Sequence, residues 1–274
     1  PLTFDSSVKQ WQLLLSGHPV FLVDEESRLD PNRFFDFIER HKINVIDCTP
    51  SHLKVLLQSP RALPVLEKMQ LVLVGGEAID ETLWLELSDI QHCRFINMYG
   101  PTECTDIVTT YRLRDKSQIS EFPHRSLPIG RPINNVECLV LDSNRNLQPP
   151  GLTGELWIGG AGVGHGYLRD PEQTETSFID NPYGEGRIYR SGDLVRYRED
   201  GEIEFIGRVD HQVKLRGLRI ELGEIEHALR ELDGIEDAIA LVCEDRLYAA
   251  IIGVLPEDWR TRLGDYLPVY MVPG

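Results

Sequence analysis

The sequence predicts an α/β layer joined to a β-rich, barrel-like subdomain, with a small α+β lobe at the C-terminal end. The first observation is an alternation of apolar strands at 44–47, 71–75 and 94–97 with helix-period stretches at 31–42, 51–58 and 81–87. The second is a change of texture near residue 127. From there short strands at 137–141, 154–158, 188–189, 194–197 and 203–206 are punctuated by Gly and Pro. The third is a further change after Gly207-Arg208-Val209-Asp210, where a helix over 222–232 and strands at 237–242 and 246–252 form a unit of their own. The expected boundaries are 1–122, 123–209 and 210–274.

With 274 residues the chain is long enough for two or three units, each with a core. Its 28 Lys plus Arg stand against 44 Asp plus Glu, a formal charge of −16 that repels phosphate backbones. This balance argues against nucleic acid or an anionic membrane as partner, so a polyphosphate ligand would need a local device. Five cysteines, scattered and without a Cys-x-x-Cys pair, point to a reducing compartment without structural zinc, and the expected location is cytoplasmic. No apolar run approaches membrane-spanning length and no signal peptide is visible. The chain opens on Pro1 rather than Met, which reads as a piece of something longer.

The chemistry concentrates in six segments. Residues 95–99 read as a strand that runs into Gly100-Pro101-Thr102-Glu103. Tyr99 offers a flat face for a base, Gly100 permits close backbone approach, Thr102 can donate to a phosphate, and Glu103 can hold a hard cation such as Mg2+. Asp5, in Thr3-Phe4-Asp5-Ser6-Ser7-Val8, reads on its own as a turn or capping aspartate; in a strand of alternating faces it would instead aim a carboxylate at a cation. Gly75-Gly76 at a strand end allows close approach to a ring or phosphate. Residues 154–168 are rich in Gly but lack the Gly-Lys-Ser/Thr of a phosphate-cradling loop, so they read as structural turns, with His165 a surface or packing residue and not a ligand. In Tyr189-Arg190-Ser191-Gly192-Asp193-Leu194, a carboxylate at a strand start can accept both hydroxyls of a ribose. Residues 207–226 form a basic island in an acidic chain, readable as an exposed hairpin or as a hinge that carries Arg208 into a site.

Together these segments resemble the adenylate-forming enzymes, specifically the adenylation domains of nonribosomal peptide synthetases. Residues 4–7, 97–103, 154–168, 189–194, 207–226 and 267–273 correspond in order to six core motifs of that family, from end to end of the chain. The resemblance implies a partial adenylate-forming fold. It also implies activation of an amino acid by ATP and magnesium, with release of pyrophosphate, and transfer of the acyl group to the phosphopantetheine thiol of a peptidyl carrier protein.

Carried over by resemblance, Asp5 would pair with the substrate α-ammonium and Tyr99 would stack on adenine. Asn97, Gly76 and Gly100 would line the adenine slot, Thr102 would contact phosphate, and Glu103 would ligate magnesium. Asp193 would hold the ribose, Arg208 would steady the ribose and phosphate end, and Asp210 would be the hinge of the small lobe. Phe205 stands where many relatives have Tyr, which keeps an aromatic contact to the nucleotide and removes a hydroxyl. Gly164-His165 replaces the family's usual small-then-Arg pair. By the same resemblance the amino-acid pocket comprises Asp5, Ser6, Lys9, Asp47, Leu73, Gly75, Met98, Asp106 and Ile107. A buried ammonium on Lys9 requires a partner. Glutamate is the expected substrate, its carboxylate on Lys9 and Lys9 oriented by Asp47; the alternative is ornithine or lysine held by Asp47 and Asp106, with Lys9 turned to solvent.

The family's phosphate loop with its lysine is expected upstream of Phe4, and its catalytic lysine downstream of Pro273. The chain alone is therefore expected to lack exchange activity and to need the remaining portions of the domain as partner elements. A nucleotide-binding fragment or docking module without turnover is the other class of function kept in view, beside an α/β scaffold for protein interaction.

Overall fold

The computed structural model describes residues 5–113, 127–210, 212–243 and 246–274. Contacts divide the chain into two compact units, Pro1–Val209 and Asp210–Gly274. The expected boundary at 122–123 falls outside the described residues, as do Thr3 and Phe4.

The first unit opens with α1 (Ser7–Leu15), α2 (Glu25–Leu29) and α3 (Pro31–His41), then alternates β1 (Val45–Cys48), α4 (Pro50–Leu57), α5 (Ala62–Leu66), β2 (Leu71–Gly75), α6 (Glu81–Ser88) and β3 (Arg94–Tyr99). The sheet continues through β4 (Thr109–Arg112) and β5 (Arg131–Pro132), in the order β1-β2-β3-β4-β5. β1 to β3 run parallel, β4 runs antiparallel to β3, and β5 antiparallel to β4. Helix starts are written into the sequence. Asp30 accepts from the Asn32 and Arg33 amides with Pro31 in the first turn, and Thr49 accepts from the His52 amide with Pro50 following.

Alternation along β1 to β3 separates two faces. Ile46, Cys48, Val72, Val74 and Phe95 are buried in one cluster with Phe35 and Ile38 of α3, Leu53 and Leu56 of α4, and Leu83, Trp84 and Leu87 of α6. Burial of each such large side chain stabilises the fold by about 1.5–3 kcal/mol. The register aligns Asp47 with Leu73, Leu73 with Ile96, and Gly75 with Met98, so these residues share the opposite face.

A second sheet comprises β6 (Val136–Leu141), β7 (Gly154–Gly160), β9 (Arg187–Tyr197) and β10 (Ile203–Arg208) in the order β10-β9-β7-β6. β8 (Phe178–Asp180) pairs with β9, and α7 (Pro171–Ser177) precedes β8. The sequence suggests two short strands, 188–189 and 194–197; the structure has one continuous strand. Gly192 at φ +74° and a register shift against Glu155 and Trp157 of β7 absorb the Ser191-Gly192 break as a bulge. Asp193 therefore lies within a strand and not at its start.

The second unit holds the hairpin β11 (Gln212–Leu215) and β12 (Leu218–Glu221), α8 (Leu222–Arg230), the pair β13 (Ile235–Cys243) and β14 (Arg246–Gly253), and α9 (Trp259–Gly264). Leu222, Ile225 and Leu229 of α8 pack with Ala238, Ala240, Leu247 and Leu263 into its own core.

Among the described residues no helix is long and apolar enough to cross a membrane.

Candidate functional site

Asp193 is the centre of a buried polar cluster, 5% exposed. It is the register partner of Arg208, and its Oδ1 lies 2.5 Å from the Arg208 guanidinium. Its Oδ2 accepts from the Tyr99 hydroxyl, which reaches across from the end of β3. The Asp193 amide donates to Ser191 Oγ at 3.0 Å, and that hydroxyl donates to the Leu156 carbonyl at 2.7 Å. A carboxylate this deep needs such partners. Burial, then the Asp193 charge, hold the Tyr99 hydroxyl well above the usual tyrosine range, so it stays a proton donor. The irregularity between Phe205 and Gly207 in β10 re-aims the last residues of that strand, Arg208 among them. Phe205 packs, half-buried, on the same core as Tyr99.

The turn after Tyr99 is held from several sides. Gly100 is required by the chain's own backbone. A Cβ there would sit 2.2 Å from the Asp106 carbonyl oxygen, because the Val108 amide returns to the Tyr99 carbonyl at 2.8 Å. Thr105 and Asp106 take positive φ of 62° and 69° to make that return. Residues Thr102–Cys104 form a 3-10 turn. Thr102 Oγ1 donates to Asp5 Oδ2 at 2.6 Å, and Glu103 Oε1 accepts from the Tyr167 hydroxyl at 2.8 Å. The Gly164 amide donates to the Glu103 carbonyl at 2.8 Å, so part of the Gly-rich segment braces this turn. His165 is exposed, and its carbonyl accepts from Arg187.

Asp5 does not lie in a strand. It sits in the turn that leads into α1, its Oδ1 accepting the Ser6 amide at 2.8 Å and its carbonyl accepting the Val8 amide at 2.8 Å. Asp5 thus acts as a turn residue and still meets Thr102. One turn into α1, Lys9 Nζ lies 3.0 Å from Asp47 Oδ2 and 3.4 Å from Asp106 Oδ2, its side chain 16% exposed. The 3.4 Å contact carries charge attraction without an aligned hydrogen bond, since that oxygen has no hydrogen-bond partner. Ser6 Oγ donates to Asp106 Oδ1 at 3.3 Å, and Gln10 Nε2 donates to Asp47 Oδ2 at 3.0 Å. Burial pushes the Asp106 carboxyl upward, with Lys9 opposing and the Asp5 charge adding to the rise. Leu73, Gly75 and Met98 share the sheet face that carries Asp47, and Ile107 lies half-buried in the return of the turn.

The structure therefore gathers Tyr99, Asp193 and Arg208 into one cluster, Thr102 and Asp5 into a second, and Ser6, Lys9, Asp47 and Asp106 into a third. Gly76 follows β2 at φ +85°. Asn97 is buried and spends its amide on the Pro128 carbonyl at 2.9 Å. Asp210, the first residue of the second unit, accepts from the Gln212 amide at 3.1 Å. Sequence reasoning missed Tyr167, Ser191 and Gln10. Tyr167 had a signal in its place after Gly164-His165-Gly166, while Gln10 and Ser191 act through partners that only the fold reveals.

Among the described residues no group of three or more His, Cys, Asp and Glu could hold a metal ion. Magnesium keeps several waters and takes one or two carboxylates beside substrate phosphates, so the lone carboxylate of Glu103, next to the exposed Thr102, suits that donor set.

A family model described as AMP-binding enzyme matches residues 1–168. The chain belongs to the AMP-binding enzyme family. This AMP-binding chain is 44% identical to AMB antimetabolite synthetase AmbE of Pseudomonas aeruginosa over 247 residues, which cover 89% of the chain and 11% of AmbE. The structure of PA1221, an NRPS protein containing adenylation and PCP domains, is similar with a TM-score of 0.85 and 29% identity, covering 100% of this chain and 55% of that one. The adenylation domain AlmE of Vibrio cholerae, solved with glycyl-adenosine-5'-phosphate, gives a TM-score of 0.84 and 30% identity over 99% of this chain and 53% of that one. The fold is thus the adenylate-forming fold, and the AMP-binding chain spans about half the length of these solved relatives.

Proposed function

We propose that this chain is part of an amino-acid-activating adenylation domain of a nonribosomal peptide synthetase, acting in the cytoplasm. The observation that carries the reading is the convergence of a base-sized aromatic, Tyr99, with a carboxylate and a guanidinium, Asp193 and Arg208, beside a turn that joins Thr102 to Asp5. In this reading the amino-acid carboxylate attacks the α-phosphorus of ATP, the bond to pyrophosphate breaks, and an aminoacyl adenylate remains. A phosphopantetheine thiol on a peptidyl carrier protein then attacks the acyl carbon and AMP departs. The free cysteines, four of them buried, support a reducing compartment.

Tyr99 presents its ring to adenine, with Gly76, Gly100, Asn97 and Phe205 around the slot. Asp193 accepts the ribose hydroxyls, and Arg208 offsets negative charge that grows at phosphorus. Thr102 donates to a phosphate oxygen. Glu103 would hold Mg2+, which supplies charge neutralisation on the phosphates when bound. Asp210 serves as the hinge of the second unit between half-reactions.

Asp5 receives the substrate α-ammonium, and Ser6, Lys9, Asp47, Leu73, Gly75, Met98, Asp106 and Ile107 shape the side-chain pocket. Glutamate is favoured over ornithine or lysine because Lys9 faces inward, braced by Asp47 at 3.0 Å, whereas a basic substrate requires it to swing to solvent. The test is amino-acid-dependent ATP/pyrophosphate exchange by the intact protein with glutamate, glutamine, ornithine and lysine. Preference for glutamate supports the reading; exchange with ornithine or lysine alone replaces the substrate, and no exchange with any amino acid in a folded intact protein overturns the activity. The 274-residue chain by itself is expected to bind nucleotide with negligible exchange.

A further inference from the structure

Asp5 and Thr102, ninety-seven positions apart, share one hydrogen bond at 2.6 Å. The length is that of a charge-assisted bond between a hydroxyl and a carboxylate. Among the described residues no Lys, Arg or His forms an ion pair with Asp5; its oxygens rest on the Ser6 amide and the Thr102 hydroxyl. A threonine hydroxyl has a single proton to donate. Thr102 is solvent-exposed, so that proton can turn from Asp5 toward a ligand by rotation of one bond.

We propose that the Thr102 hydroxyl couples the two substrates, donating to Asp5 while the amino-acid site is empty and turning to a nucleotide phosphate oxygen once an ammonium occupies Asp5. The inference rests on the reading above, in which Asp5 takes the α-ammonium and Thr102 faces phosphate. Its sign follows from counting donors. Without amino acid, giving the proton to phosphate strips Asp5 of its only side-chain donor, while Asp106 adds a like charge nearby. With an ammonium present, three N–H donors replace that one and the strain on Asp5 disappears. Amino acid therefore raises nucleotide affinity, and by linkage nucleotide raises amino-acid affinity by the same factor. Thr102 in this role touches the phosphate only when Asp5 is occupied, so the coupling is read as a change in gain and not as a simple loss of affinity.

The test is calorimetric binding of α,β-methylene-ATP with Mg2+ to the intact protein, with and without saturating L-glutamate, L-glutamine, L-ornithine or L-lysine. The native protein should gain at least about fivefold in analogue affinity with one of these amino acids. With amino acid present Thr102→Val should bind the analogue more weakly than the native protein, gaining less than about twofold, and Thr102→Ser should restore the gain. Thr102→Ala serves where valine fails to give a cooperative thermal transition. Analogue binding with the full gain in the valine or alanine variant overturns the coupling and leaves the reading of the site intact. Absence of any gain in a native protein that binds both ligands also overturns it. Failure of the native protein to bind the analogue overturns the coupling and the nucleotide reading together.

Discussion

Tyr99 donates its hydroxyl to Asp193, a contact between the last residue of β3 in one sheet and the middle of β9 in another. Each residue stands out within its own segment of sequence, but only the fold joins them, with Arg208, into one buried polar cluster. Replacement of Tyr99 by Phe leaves a buried carboxylate short of one donor. We expect a loss of about 1–3 kcal/mol in urea unfolding. Analogue binding should change far less in Tyr99→Phe than in Tyr99→Ala, which loses the ring and about 1–3 kcal/mol of stacking as well.

Glu103 accepts from Tyr167, so the magnesium role proposed for it and its role as brace can be separated. Glu103→Gln keeps an acceptor for Tyr167 and loses the charge. Exchange by the intact protein should fall by roughly 10²–10³-fold with little change in melting temperature. Tyr167→Phe should cost much less in exchange; equal losses would assign Glu103 a purely structural part.

Gly100→Ala forces a Cβ to 2.2 Å from the Asp106 carbonyl oxygen and 2.9 Å from the Val108 amide nitrogen. Backbone cannot yield as a flexible side chain does, and the expected loss is at least about 1–3 kcal/mol, read as a lowered urea midpoint. The same variant should weaken amino-acid binding through Asp106, which a slot used only by adenine would not require.

Asp106 is a charge held against its preference, since burial pushes its carboxyl upward. A raised folded value means that its contribution to stability is present at low pH and is lost as pH rises past the ordinary carboxylate range. Asp106→Asn should therefore match or exceed the native urea midpoint at pH 7, and its advantage should close on acidification. Amino-acid discrimination should deteriorate in the same variant, because Lys9 keeps Asp47 and loses its second partner. A midpoint well below native would contradict this account of the pocket.

Tyr197 donates to the Cys138 carbonyl at 2.8 Å, and burial pushes its hydroxyl up to about 12. The unfolded tyrosine ionises near pH 10, about two units lower. Stability tied to Tyr197 is thus complete below about pH 10 and fades as pH rises through about 12. Urea midpoints from pH 8 upward should fall over that window, and Tyr197→Phe should flatten the fall at the cost of a lower midpoint at pH 8.

Much of the fold was legible locally. Asp30-Pro31 and Thr49-Pro50 announce helix starts, and the apolar runs of β1 to β3 announce a sheet with one fully covered face. The motif at 97–103 stood out because its residue types differ in chemistry and not merely in polarity. The strand alternative for Asp5 and the break at 191–192 both fail, for physical reasons, while the turn reading of Asp5 holds. Residues 4–8 alternate like a strand, but Asp5 captures the Ser6 amide and starts a helix from Ser7, a local side-chain bond that outweighs periodicity. Ser191-Gly192 looks like a break, yet a bulge opposite Glu155 and Trp157 lets β9 run on. The contacts of Tyr167 with Glu103 and of Gln10 with Asp47 span 64 and 37 positions, and no window of sequence reports them.

The most direct measurement is calorimetric titration of the intact protein with a non-hydrolysable glutamyl-adenylate mimic, native against Asp193→Ala. Loss of charge-assisted bonds to two ribose hydroxyls should weaken binding by roughly 10²–10³-fold in a variant that still unfolds cooperatively. Equal affinity in the two proteins would contradict the assignment of the Tyr99, Asp193 and Arg208 crevice to the nucleotide.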